Sequence, residues 1–112
     1  MTHLPFDVCF ELDGWELFWA FLEVIDEDAP GLPALRTRVA AAARERFSSS
    51  ADIAQAPPVQ GMRRLFRAAG CDPTRYRPAS EALLRRLVKG AELPAIHPLV
   101  DVNNCLSAAM AV

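Results

Sequence analysis

If residues 58–69 form a helix, Gln60, Arg63, Arg64 and Arg67 occupy about one third of its circumference. A guanidinium is a planar fork of donors that matches phosphate oxygens, so three on one stripe make a phosphate-contacting surface. Arg85, Arg86 and Lys89 repeat the pattern further along. Between the two lies Arg75-Tyr76-Arg77, an aromatic ring flanked by cations that could stack on an unpaired base. The plainer alternative is a solvated face, with Glu81 and Arg85 as an i,i+4 helix pair.

Other reactive side chains are sparser. His97 and Cys105 could form a nucleophile pair. Burial as a plain thiol is the commoner fate of a free cysteine such as Cys9 or Cys105. No Cys-x-x-Cys or His-x-x-x-His spacing exists, so no metal is expected. A glycine-rich phosphate loop and a serine-nucleophile elbow are also missing. Asp101, Asn103 and Asn104 sit in an apolar run, where such groups serve backbone hydrogen bonding before chemistry.

Charge is distributed unevenly. Residues 1–28 carry eight acids and no Lys or Arg, whereas all twelve basic residues fall between Arg36 and Lys89, opposed by four acids. An acidic start before a basic middle fits a polyanion-binding face. With 52% hydrophobic and 23% charged residues in 112, the chain is one domain with a modest core and is not disordered. Leu17 to Ile25 is too short to span a membrane, no secretory signal is readable, and three widely spaced cysteines fit a reducing, cytoplasmic setting.

The elements that must position these groups follow from periodicity. Phe6, Val8, Phe10 and Leu12 alternate with polar residues as in a half-buried strand, ended by an Asp13-Gly14 turn. Trp15 to Ile25 suits either helix or strand, and its aromatic content after that turn favours a hairpin. Asp26 to Gly31 reads as a loop. Helices are expected at about 33–47, 58–69 and 80–89. The first opens with Pro33 and buries Leu35, Val39, Ala42, Ala43 and Phe47. The second buries Val59, Met62, Leu65, Phe66 and Ala69 and stops at Gly70. The third, capped by Ser80, buries Leu83, Leu84, Leu87 and Val88. Ser48-Ser49-Ser50 reads as a break, and Leu99 to Val112 as an apolar segment without a terminal cap. The expected class is α+β, an N-terminal β-hairpin packed on about three to four helices.

The stretch from Arg64 to Arg86, with its phrase Arg75-Tyr76-Arg77-Pro78 followed by Ser80-Glu81-Ala82-Leu83-Leu84-Arg85-Arg86, resembles the B3/B4 domain. That domain belongs to the β chain of phenylalanyl-tRNA synthetase and also occurs free-standing. Leu93 to Asn104 is similar to the family's Pro-x-Ile-Asn-x-Val-Val-Asp-Val-Thr-Asn signature, with His97 in place of an asparagine and Asn103 in place of threonine. Residues 1–59 match only in outline. The resemblance implies tRNA association and trans-acting hydrolysis of mischarged aminoacyl-tRNA, tyrosyl-tRNA(Phe) in the synthetase, with no cofactor and no metal. The family pattern continues past Asn104 with pocket-forming strands, so 1–112 is expected to be an incomplete part of a larger B3/B4-type domain, with no assignable catalytic residue.

The expected partner is therefore tRNA or aminoacyl-tRNA, contacted by Arg63, Arg64, Arg67, Arg75, Tyr76, Arg77, Arg85, Arg86 and Lys89. No membrane partner is expected. The apolar end suggests a homodimer or association with a missing C-terminal segment. The rival from another class is a non-catalytic protein-interaction module that uses the aromatic hairpin and the apolar C-terminus.

Overall fold

The structure, a computed structural model, describes residues 7–23 and 28–112. It contains five helices: α1 Leu32–Arg46, α2 Ser50–Gln55, α3 Pro57–Ala68, α4 Ala79–Val88 and α5 Pro98–Met110. No strand occurs among the described residues. The expected α+β class is therefore corrected to an all-helical one.

The N-terminal hairpin fails at its turn. The Trp15 amide does donate to the Leu12 carbonyl at 3.2 Å across Asp13-Gly14. Only Gly14 has a positive φ, +82°, whereas Asp13 does not. A type I′ turn needs positive φ at both central residues; with one, at the second position, the turn is of type II and splays its flanking segments. Residues 7–12 and 15–23 run without regular secondary structure. Phe6, Val24 and Ile25, which the hairpin reading included, and Asp26 and Glu27 of the loop lie outside the described residues.

α1, α4 and α5 pack against one another, α2 packs on α4, and α3 packs on α2. Prolines set several starts: Pro33 in the first turn of α1, Pro57 and Pro58 in that of α3, and Pro98 in that of α5, where a missing N–H costs nothing. The core joins Leu32, Val39, Ala43 and Phe47 of α1 and its end to Ile53, Leu84, Leu87, Leu93, Cys105 and Ala108. Leu84 and Leu87 are fully buried, each contributing about 1.5–3 kcal/mol relative to an exposed position. The α3 stripe is covered only in part: Val59 is buried, Met62, Leu65 and Phe66 are half-buried, and Ala69 is exposed. With no hairpin sheet beneath it, this stripe has α2 as its chief partner.

The serine run is a helix start. Ser49 caps α2, its Oγ accepting the Asp52 amide at 3.3 Å while Asp52 accepts the Ser48 amide at 3.0 Å. Conversely, Ser80 does not cap α4. Pro78 holds the cap position, and Ser80 Oγ is buried with no hydrogen-bond partner among the described residues. The apolar end is capped as well. Ala111 adopts the left-handed conformation, φ 59°, and the Val112 amide returns to the Ser107 carbonyl.

Candidate nucleic-acid interface

α3 turns Arg63, Arg64 and Arg67 toward α2, where with Gln55 and Gln60 they line a recess of 280 Å³. The arginines do not play equal parts. Arg63 grips the buried Glu81 of α4 with both Nε, at 3.0 Å, and Nη2. Arg85 donates to the same carboxylate from Nη2 at 3.1 Å. Burial pushes the Glu81 pKa up, but the hydrogen bonds from Arg63 and Arg85, with their charges, outweigh it and hold the carboxyl below its ordinary value. The same bond raises the Arg63 pKa. Arg63 and Arg85 are thus committed to fastening α3 to α4.

Arg64 and Arg67 make no ion pair among the described residues, and both are exposed. Arg64 lies back along α3 over Gly61, where a Cβ would meet Arg64 Nη2 at an ordinary contact distance of 3.7 Å. Gln60 Nε2 donates to the Ala54 carbonyl at 3.4 Å, which ties the recess floor to α2.

The loop after α3 brings Asp72 within reach of the Arg67 charge. Asp72 accepts the Thr74 amide at 2.9 Å and hydroxyl at 2.7 Å, and the Tyr76 amide returns to the Asp72 carbonyl. This Asx-type turn orders Arg75-Tyr76-Arg77. The Thr74 bonds, supplemented by the Arg67 charge, lower the Asp72 pKa. Tyr76 is 57% exposed, with the Arg75 guanidinium 5.3 Å from its ring centroid. Arg75, Arg77, Arg86 and Lys89 are exposed, and neither they nor Tyr76 line the recess. The sequence reading missed Gln55 because it missed α2, although the spacing Ser49-x-x-Asp52 signals that helix.

The other chemistry is accounted for by architecture. His97 caps α5, its Nδ1 accepting the Leu99 amide at 3.2 Å. Cys105 lies two turns further along and is buried; burial chiefly pushes its thiol pKa up, which removes thiolate character. They form no nucleophile pair. Asp101 accepts the Ile96 amide at 2.9 Å and pairs with Arg36 at 3.1 Å, joining α5 to α1. Asn103 is exposed and Asn104 half-buried. Among the described residues, no three metal-ligating side chains cluster and no helix is long and apolar enough to cross a membrane.

No protein-family model, curated protein or solved structure matches the chain.

Proposed function

We propose that the protein is a tRNA-associated module that grips RNA phosphates through Arg64 and Arg67, helped by Arg75 and Arg77, with Tyr76 stacking on an unpaired base. The observation that carries this reading is the α2–α3 recess, where two exposed guanidiniums without a salt bridge among the described residues stand beside two side-chain amides. The likeness of residues 64–104 to the B3/B4 pattern supports tRNA as the nucleic acid. The recess offers arginine and glutamine side chains, none of which takes up a proton at neutral pH. The reading is accordingly one of binding, and hydrolysis of mischarged tRNA would need groups from elsewhere.

Labelled tRNA titrated at low and high salt tests it. Four phosphate contacts weaken binding about 50- to 150-fold between about 50 and about 200 mM salt. Absence of binding at the lower salt would overturn the reading. The interaction-module alternative would then stand on the exposed Phe18 and Leu22, 87% and 83% accessible.

A further inference from the structure

A second concavity lies between α1 and α5, with no lining residue in common with the α2–α3 recess. Leu35, Val39 and Phe47 of α1 and its end, with Ala108 of α5, line an apolar groove of 260 Å³. The exposed Arg38 and Arg46 also line it, and no acidic residue does. Arg46 lies over the Phe47 ring, 4.8 Å from its centroid, so the apolar floor runs directly into a cationic edge. A ligand for this groove should present bulky apolar groups flanked by negative charge.

The chain itself contains such a segment. Glu16-Leu17-Phe18 and Leu22-Glu23 place exposed apolar side chains next to carboxylates, within the acidic first 28 residues. This arm begins beside α3, where Phe10, Leu12 and Trp15 share a recess with Ala68. α3 packs on α2, while the groove belongs to α1 and α5. An arm anchored beside α3 with Phe18 and Leu22 projecting is placed to reach another molecule.

We propose that residues 16–23 of one copy dock in the α1–α5 groove of a second copy, and reciprocally, giving a closed arm-exchanged dimer. Phe18 and Leu22 fill the apolar floor, while Glu16 and Glu23 face Arg38 and Arg46. Reciprocal exchange satisfies both grooves at once and so closes the assembly, whereas one-way docking would propagate a chain. Arg64 and Arg67 take no part, so dimerisation and tRNA binding are separable.

Charge exchange on the full chain tests the proposal by sedimentation equilibrium. Wild type should dimerise with concentration. Arg38→Glu with Arg46→Glu, and separately Glu16→Arg with Glu23→Arg, should each weaken self-association at least tenfold, because each sets like charges against each other. An equimolar mixture of the two variants should restore a heterodimer, since every arm then meets a groove of opposite sign. Phe18→Asp with Leu22→Asp should be monomeric with an unchanged helical circular-dichroism spectrum, as both side chains are exposed. Wild type that stays monomeric to high micromolar concentration overturns the proposal, including the case of an arm folded onto its own groove. Dimers that survive the charge reversals, or a mixture that fails to reassociate, also overturn it.

Discussion

Arg63 and Glu81 meet across two helices, Nε to Oε2 at 3.0 Å, with the carboxylate fully buried beneath the guanidinium. One of the three cations of the arginine stripe therefore belongs to the fold as much as to the surface. Arg63 positions α3, and the neighbouring Arg64 and Arg67 are left to meet an anion.

Glu81→Ala should be among the more damaging single changes. It strips the carboxylate from two guanidiniums that are themselves only about one-fifth exposed, and breaking such a buried pair costs about 2–4 kcal/mol. Urea denaturation reads this as a lower midpoint with an unchanged slope. A loss under about 1 kcal/mol would show that the clasp is incidental.

The same carboxylate should make stability pH-dependent. Its folded pKa lies below the unfolded value, so its contribution is present above the ordinary glutamate range and fades as pH falls through the depressed folded pKa. Stability measured from neutrality downward should decline from about pH 5, and more shallowly in Glu81→Gln. Parallel curves for wild type and variant would contradict this assignment.

Reversal of Arg64 and Arg67 to Glu should reduce tRNA affinity at least tenfold and lower the salt-dependence slope by about 1.5–2, with the unfolding midpoint little changed. Arg63→Glu should unfold the chain more readily. Arg44 is unsuitable as a neutral control, because it donates from Nε to the Leu87 carbonyl and from Nη2 to the Ala91 carbonyl, both at 2.9 Å, and so secures the end of α4. Arg38→Glu serves better at concentrations below those of self-association, being exposed on α1 and outside the recess lining.

Gly61→Ala should stabilise the protein by about 0.5–1 kcal/mol. The position is helical, and the new methyl meets Arg64 Nη2 at an ordinary 3.7 Å. A thermal midpoint that falls would mean that the methyl forces Arg64 out of place.

Thiol labelling of the native protein should proceed at two rates. Cys9 and Cys71 are exposed, whereas Cys105 is buried among α5 contacts with a raised pKa. Two equivalents should react promptly and the third only on unfolding. Prompt reaction of all three would contradict the burial of α5.

The legible parts of the fold were those with local causes. Pro33, Pro58, Gly70 and Gly90 bracket the helices, and observed and expected limits differ by one residue for α1, α3 and α4. The N-terminal alternation misled because period-two patterning reports only that a segment could lie half-buried; whether it pairs depends on turn conformation and a partner. The serines misled in both directions, since Ser49 caps a helix and Ser80 does not, a difference set by Asp52 and Pro78 nearby. For the site, the clustering of Arg63, Arg64 and Arg67 was readable from helical spacing. That Glu81 would claim Arg63 depended on the α3–α4 contact, which no local signal encodes.

The order of helix packing has a consequence for motion. α3 reaches the α1–α4–α5 core chiefly through six-residue α2 and through the Glu81 clasp, so it can open without the core dissolving. Amide hydrogen exchange should grade accordingly, slowest in α1 and α4 and faster in α3. An RNA phosphate held by Arg64 and Arg67 would slow exchange along α3 in particular, making the helix that carries the recess the reporter of its own occupancy.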